Sequence, residues 1–186
     1  MRRQSPSRDA LPDLWLVSDA RNDAALERAL ARLPRGSGLI VRHYHLAPDA
    51  RRERFDALAR LARRRGHRVV LAGSAEQARR WDADGFYGAP SHGRGLHLAT
   101  AHSLRELRRA RHADAVLLSP VFATRSHPGA RTLGPLRFRL LAARSPVPVI
   151  ALGGMTKRGA KRLAHPKWAA IDGLCDERTR RNPKDS

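Results

Sequence analysis

Short apolar runs alternate along the chain with longer segments in which apolar residues recur every three or four positions. The runs have the length of buried strands, and the periodic segments have the spacing of amphipathic helices. The predicted strands are Leu14–Ser18, Gly38–Arg42, Arg68–Ala72, Asp84–Tyr87, Leu96–Ala99, Ala115–Leu118, Pro148–Leu152 and Ala169–Leu174. The predicted helices are Asn22–Leu33, Pro48–Arg65, Ser74–Trp81, Leu104–Arg111, Leu136–Ala143 and Thr156–Ala164.

This order of elements predicts an α/β fold. Strands that are apolar throughout are buried on both faces, and their alternation with helices indicates a parallel sheet. Eight strands match a compact (β/α)8 TIM barrel, although units of about twenty residues are short for that fold. A full helix is lacking between the fourth and fifth strands, where residues 88–95 form a predicted loop. An open, doubly wound sheet is the alternative, and in either fold ligands bind at the carboxyl ends of the strands.

The domain organisation follows from the same pattern. A chain of 186 residues is long enough for one domain with a substantial core. Residues 1–12 are polar and contain proline, which predicts a flexible arm. The single barrel domain is predicted over residues 13–175, and the charged residues 176–186 are predicted to be a disordered tail.

The net charge of +20 raises the question of nucleic acid as a partner. Nearly all of the excess is arginine, and the arginines are spread over every predicted helix rather than gathered in one block. A compositional bias toward arginine gives the same pattern. We therefore expect nonspecific adhesion to polyanions at low salt, and no specific nucleic-acid partner.

Cysteine content and hydropathy exclude other classes. The single cysteine, Cys175, rules out a disulfide framework and a cysteine-based zinc site, and it is compatible with the reducing cytoplasm, which is the expected location. No apolar run approaches the roughly 20 residues of a membrane span, so no membrane association is expected.

The stretch that follows the sixth strand carries the most specific chemistry. After Ser119-Pro120 comes a loop that contains Thr124, Arg125, Ser126 and His127 but no carboxylate. Hydroxyl groups, a guanidinium group and an imidazole in one loop suit an anion, most simply a phosphate.

A second candidate site for an anion follows the seventh strand. Gly153-Gly154 stands between that strand and the predicted helix at Thr156. Paired glycines let a ligand approach the backbone, whose N–H groups can then bind a phosphate. Either loop could also be an ordinary turn, but together at the carboxyl ends of successive strands they predict a binding site.

Histidines are frequent near the predicted strand ends: His43, His45, His92, His97, His102 and His127. An acid or base that works near neutral pH is expected among them, with His102 and His127 as the candidates. A metal site formed by His43, His45 and His92 is conceivable, since imidazole binds Zn²⁺. The alternative is that these are ordinary loop histidines or donors to an anion.

Several of these segments resemble the thiamine-phosphate synthase and TenI family of phosphate-binding TIM barrels. Leu118–His127, LSPVFATRSH, is similar to the family's G-P-I/V-F-x-T-x-T-K, and Pro148–Met155, PVIALGGM, is similar to P-V-x-A-I-G-G-I. Weaker matches are Leu16–Asp19 with L-V-T-D, Ala83–Gly85 with A-D-G, and Thr100–Ser103 with S-x-H. The resemblance extends from about Leu14 to Leu174.

The resemblance implies an activity and a set of roles. Synthases of this family join hydroxymethylpyrimidine diphosphate to thiazole phosphate, with release of pyrophosphate and with the help of Mg²⁺. The resemblance assigns the thiazole phosphate to Gly153 and Gly154, the region shared by the two substrates to Thr124, Ser126 and His127, and the pyrophosphate to Thr100 and Arg42. The implied partner is therefore a small phosphorylated molecule. The family also makes a homo-oligomer possible.

The sequence departs from the family where the metal binds. The family's N-D pair after the third strand is Ala72-Gly73 here, and its acidic residue after the fourth strand falls in Tyr87–His92, which has no carboxylate. Mg²⁺ requires oxygen ligands, and only Asp19 or Asp84 could replace those that are missing. No metal ligand is therefore assigned.

The departures leave alternatives for the function. TenI proteins that tautomerise the thiazole carry a histidine at the position of Pro120, so that assignment does not transfer directly. The chain is expected either to catalyse the synthase reaction, or to have lost the Mg-diphosphate site and to act as a tautomerase-like enzyme or as a silent, ligand-binding barrel.

Overall fold

The computed structural model describes residues 11–88, 93–124, 129 and 131–175. Its strands are β1 Leu14–Val17, β2 Gly38–Val41, β3 Arg68–Ala72, β4 Gly85–Tyr87, β5 Leu96–Ala101, β6 Ala115–Leu118, β7 Val149–Ala151 and β8 Trp168–Ala170. Its α-helices are α1 Leu26–Arg32, α2 Pro48–Arg64, α3 Ala75–Arg80, α4 Leu104–Arg109, α5 Gly134–Ala142 and α6 Lys157–Leu163. Two 3₁₀-helices cover Ala20–Ala25 and Asp172–Leu174.

The eight strands form a closed parallel barrel in chain order, with β8 paired to β1. The predicted TIM barrel is confirmed, and the open sheet is excluded. Between β4 and β5 the described residues, Gly88 and 93–95, contain no helix; residues 89–92 lie outside the described residues. Nor does the described part of the chain include a helix long and apolar enough to cross a membrane.

Alternation along the strands divides the core into an interior and an outer layer. Trp15, Ile40, Val70, Leu98 and Ile150 are among the residues that fill the barrel interior. The intervening residues face outward, where the helices bury them in two clusters, one around β1–β3 and one around β5–β8. Burial on both faces is why the strands are apolar throughout.

Trp15 occupies the interior at the amino end of the strands. Its indole N–H donates to the Pro12 carbonyl oxygen at 2.9 Å, and its ring covers Gly38 on β2, the residue paired with it. A Cβ atom on Gly38 would lie 2.1 Å from Trp15 Cε3. The barrel can therefore close around the indole only if β2 begins with glycine.

At the seam between β1 and β8, two elements of the structure differ from the predicted ones. The first helix begins as a 3₁₀-helix capped by Asp19, not by Asn22. Asn22 instead donates its amide to the carbonyl oxygens of Val17 and Ile171, both at 3.0 Å, and so holds the carboxyl ends of β1 and β8 together. The predicted eighth strand, Ala169–Leu174, ends at Ala170, because a turn replaces it at Asp172-Gly173.

Of the predicted arm, the structure describes Leu11 and Pro12. Leu11 packs against the interior cluster, and the Lys167 ammonium group donates to its carbonyl oxygen at 3.1 Å. The remaining residues of the arm, 1–10, and the predicted tail, 176–186, lie outside the described residues.

We expect Gly38→Ala to lower the free energy of unfolding by about 1–3 kcal/mol, because the added methyl group must displace the Trp15 ring. Urea denaturation monitored by circular dichroism would measure the change. Gly88→Ala is the control, since its nearest non-neighbouring atom, the Gly73 carbonyl oxygen, would lie at 3.4 Å, an ordinary contact. Equal stability of the two variants would contradict the packing described for Trp15.

Candidate functional site

A cavity of about 840 Å³ opens at the carboxyl ends of the strands. Side chains that face the barrel interior recur every second residue, so the residue two positions beyond the last interior side chain faces the cavity. Arg42, Thr100, Ser119, Leu152 and Ile171 line the cavity in this way. Alternation in a closed barrel thus brings side chains from five strands to one place.

Glycines form the wall of the cavity that follows β7 and β8. Gly153 and Gly154 have φ values of +94° and +60°, and both line the cavity with Gly173. A Cβ atom on Gly153 would lie 2.6 Å from Pro120 Cα, and one on Gly154 would lie 2.3 Å from the Ala123 carbonyl oxygen. These glycines are therefore required for packing against the loop after β6, and they also present backbone without a side chain to the cavity.

Backbone hydrogen bonds hold this wall in place. The N–H groups of Val121 and Phe122 donate to the carbonyl oxygens of Leu152 and Gly153, at 2.9 and 3.0 Å. Thr156 lines the cavity beside them and caps α6, accepting from the Gly159 N–H at 3.0 Å. The loops after β6 and β7 therefore form one connected, preorganised surface.

A carboxylate stands beside the glycines. Asp172 lines the cavity, and its Oδ2 lies 3.6 Å from Nη1 of Arg21. Arg21 makes its closer contact with Asp19, at 2.8 Å, and Arg42 approaches the same Asp19 carboxylate at 3.8 Å. Burial opposes the ionisation of Asp19, but the hydrogen bonds and charge of Arg21 and the charge of Arg42 outweigh it and lower its pKa.

Cationic and aromatic groups lie at the opposite wall, after β2. The Arg42 guanidinium carbon lies 5.7 Å from the centre of the Tyr44 ring, and that of Arg51 lies 5.2 Å from it. Arg51 also donates to the carbonyl oxygens of Arg42 and Ala72 and so ties together the ends of β2 and β3. Tyr44 is 61% exposed at the cavity rim.

His43 has a structural role beneath this wall. Its Nδ1 accepts from the Ser18 hydroxyl at 2.9 Å, and its Nε2 donates to Asp23 at 2.8 Å. The Ser18 hydroxyl oxygen in turn accepts from the Arg42 N–H at 2.8 Å. Burial lowers the pKa of His43, and the hydrogen bond and charge of Asp23 do not compensate. With both ring nitrogens engaged, His43 cannot be the metal ligand that was considered with His45 and His92; His92 lies outside the described residues.

His102 reaches the cavity from the end of β5. It is exposed and lines the cavity, and its Nδ1 lies 2.8 Å from the Ser119 carbonyl oxygen. A carbonyl oxygen only accepts, so Nδ1 must carry the proton, and the neutral ring has its basic lone pair on Nε2. The main-chain N–H of His102 donates to Glu106 at 2.9 Å, which fixes the residue at the start of α4.

The other predicted site residues divide into two groups. Thr100 and Thr124 line the same cavity as His102, Arg42 and the glycines. Ser126 and His127 lie outside the described residues, so their predicted roles stay predictions.

Residues 93–173 match a family model described as thiamine monophosphate synthase. A curated Aquifex aeolicus protein provisionally named thiamine-phosphate synthase 2 is 41% identical over 59 residues, which are 31% of this chain and 32% of that protein. The match thus spans about one third of the curated relative's length. Over these segments, which cover less than half of the chain, the sequence is similar to the thiamine-phosphate synthase/TenI family.

Solved structures extend the likeness to nearly the whole barrel. A thiamine phosphate pyrophosphorylase from Pyrococcus furiosus matches 89% of this chain and 88% of its own at a TM-score of 0.72, with 22% identity. A second, from Bacteroides thetaiotaomicron, matches 94% and 88% at a TM-score of 0.59, with 16% identity. At these identities the structures support the shared fold alone.

The described residues of this chain do not fit a bound Mg²⁺. Within the described ranges, no three His, Cys, Asp or Glu side chains converge to hold a metal ion. Asp19 is paired with arginines, and Asp84 accepts from the Val69 N–H at 2.6 Å at the other end of the barrel. The internal segments outside the described ranges, 89–92, 125–128 and 130, contain no carboxylate. The cation at the end of β3 is the guanidinium group of Arg51.

Three residues in or beside this site were not predicted from the sequence: Tyr44 and Asp172, which line the cavity, and Arg51, which contacts Tyr44. For Asp172 a signal existed, because Asp-Gly is a turn dipeptide and ends a strand that would otherwise continue to Leu174. For Tyr44 and Arg51 no signal existed, since their contact joins a loop to a helix that carries many other arginines.

We expect the free energy of unfolding to fall between about pH 7.5 and pH 5.5, because the lowered pKa of His43 favours its neutral form in the folded state. That stability is complete above the ordinary histidine pKa and is lost as pH falls toward the folded-state value. Urea denaturation at both pH values should give a smaller drop for His43→Asn than for the unaltered protein.

The drop in the free energy of unfolding should not disappear in His43→Asn, because burial also lowers the pKa of His67. His112→Asn, at an exposed histidine, is the control and should keep the full drop. If His43→Asn kept it too, titration of His43 would not be coupled to folding.

Proposed function

We propose that this protein acts in thiamine biosynthesis as a barrel that binds a phosphorylated thiazole. The observation that carries the proposal is the single cavity wall formed by Gly153, Gly154 and Gly173. The similarity of residues 93–173 to the thiamine monophosphate synthase family model supports the same ligand class. The ligand is a small molecule rather than a nucleic acid, since the arginine excess is spread over the helices and the cavity is concave and largely apolar.

The phosphate belongs at the glycine wall on physical grounds. TIM barrels often bind phosphate with the loops after the seventh and eighth strands. Glycines allow the closest approach of an anion to backbone N–H groups, which are fixed dipoles that need no reorganisation. The Thr124 and Thr156 side chains line the same end of the cavity and can add hydroxyl donors.

The ring of the ligand would then extend toward Arg42, Tyr44 and His102. One observation favours a proton-transfer activity there: the hydrogen bond from His102 Nδ1 to the Ser119 carbonyl oxygen. It brings an imidazole to the end of β6, one residue from Pro120, where TenI tautomerases carry their histidine. Nε2 of His102 would remove a proton from one carbon of the thiazole and return it to another, an isomerisation that consumes no other reagent.

The joining reaction with hydroxymethylpyrimidine diphosphate is the less supported candidate. Departure of pyrophosphate places several negative charges on the leaving group, which fixed cations must stabilise. Arg42 is the cation that lines the cavity within the described residues. The carboxylates that would hold Mg²⁺ beside it are missing, so we propose that ligand binding and proton transfer here do not depend on a metal.

We expect Ala123→Glu to weaken binding of thiazole phosphate about tenfold or more relative to Ala123→Gln, because it adds a like charge beside Gly154. Ala123 is exposed and lines the cavity, so both longer side chains fit without disturbing the core. Isothermal titration calorimetry at moderate salt would measure both affinities, with EDTA and with Mg²⁺. Equal affinities for the two variants would contradict phosphate at this wall, and binding that required Mg²⁺ would contradict a metal-free site.

We expect His102→Gln to lower the rate of thiazole tautomerisation by about 10²-fold, in the range for loss of a general base. Affinity for thiazole phosphate should change little, because glutamine is a neutral side chain of similar length and the phosphate is proposed to bind at the glycine wall. Proton–deuterium exchange into the ligand, followed by NMR, measures the rate. His112→Gln is the matched control at an exposed histidine. Undiminished exchange in His102→Gln would exclude His102 as the base.

A further inference from the structure

The proposed phosphate wall contains a negative charge of its own. Asp172 follows β8 directly, lines the cavity, and is joined to Gly173, which also lines it. A Cβ atom on Gly173 would lie 2.0 Å from the Met155 carbonyl oxygen, so the turn that carries Asp172 packs tightly against the loop that carries Gly153 and Gly154. The carboxylate is therefore built into the wall.

The charge of Asp172 is only partly balanced. Arg21 lies 3.6 Å from it and makes a closer contact, 2.8 Å, with Asp19. Arg42 is nearer to Asp19 as well, at 3.8 Å. The two cations of this network thus lie nearer to Asp19 than to Asp172, which itself lines the cavity.

We propose that Asp172 selects the protonation state of the ligand, so that the cavity binds a phosphate monoester as its monoanion and disfavours the dianion. The inference rests on the proposed function, and it specifies which protonation state of the phosphorylated ligand the cavity binds. A monoanionic phosphate retains one P–OH group, which can donate a hydrogen bond to the Asp172 carboxylate. A dianion has no such proton, and its charge is repelled by the carboxylate. The second ionisation of a phosphate monoester has a pKa of about 6, so the selection falls near neutral pH.

The inference predicts a pH profile for binding. If the monoanion alone binds well, affinity should fall roughly tenfold for each pH unit above about 6, since the monoanion becomes that much scarcer. Asp172→Asn removes the repulsion, so its affinity for thiazole phosphate at pH 8 should exceed that of the unaltered protein, and its profile should be nearly flat.

Other groups at the cavity could also titrate. Among the described residues, the charged or titratable ones that line it are Arg42, Tyr44, Tyr87, His102 and Asp172. Any group of the protein that gained a positive charge in acid would strengthen the binding of any anion. A sulfate ester of the same thiazole alcohol separates the two causes, because it stays a monoanion throughout this range and carries no proton to donate.

The experiment is isothermal titration calorimetry between about pH 5.5 and pH 8 at constant ionic strength, with thiazole phosphate and with its sulfate ester. For the unaltered protein we expect phosphate affinity to rise in acid and sulfate-ester affinity to stay low and nearly constant. Asp172→Asn should bind the sulfate ester more tightly. Asp82→Asn is the control, because it removes the same charge at an exposed position, 91% accessible, between α3 and β4 at the other end of the barrel.

Two results would overturn the inference. One is an affinity for thiazole phosphate that does not change with pH, or whose pH dependence is the same in Asp172→Asn as in the unaltered protein. The other is a sulfate ester whose affinity follows the phosphate's with pH, which would assign the dependence to a group of the protein and not to the ionisation of the ligand. The comparison of the two esters needs no variant, so it stands even if Asp172→Asn folds poorly. Failure of thiazole phosphate to bind at any pH would instead contradict the proposed function.

Discussion

Closure of the eight strands is the constraint on which the rest of this molecule depends. Asn22 secures that closure at the seam between β8 and β1, because its amide donates to carbonyl oxygens that follow both strands. Trp15 fills the opposite end, where Gly38 makes room for its ring. With one end filled by the indole, the interior-facing side chains at the other end border a cavity instead of a packed core.

The positive and negative charges around that cavity lie on opposite walls. Arg42, supported by Arg51 and by the Ser18–His43 hydrogen bond, lies after β2, whereas Asp172 lies after β8 next to the glycine wall. A ligand with an anionic group at one end and an aromatic ring in the middle would meet the backbone N–H groups of the glycines at its anionic end. On the opposite wall it would meet the arginines and Tyr44. The cavity therefore offers arginine side chains and backbone N–H groups, and the positions that follow the third and fourth strands lack the carboxylates that a divalent cation needs.

How far the fold could be predicted depends on how local each signal is. Apolar runs and helical periodicity are local, and they predicted the barrel and all eight strands within a few residues. The errors lie where a distant contact overrides a local preference. Asn22 has the local preference of a helix cap, yet its amide is used to join two strand ends that are far apart in the chain. The strand predicted through Leu174 is an exception, because the local Asp172-Gly173 turn replaces it after Ala170.

The sequence by itself determined the fold class and the family resemblance, because both rest on order and spacing along the chain. It also shows that no carboxylate is encoded at 72–73 or 87–92, where the family resemblance expects the Mg²⁺ ligands. Only the tertiary structure decided which polar residues meet. It joined His102 to the Ser119 carbonyl oxygen, removed His43 from the cavity into a buried network, and brought Asp172 beside Gly153 and Gly154. The physical reason is that strand register and barrel closure set these distances, and neither can be predicted from the residues of any single segment.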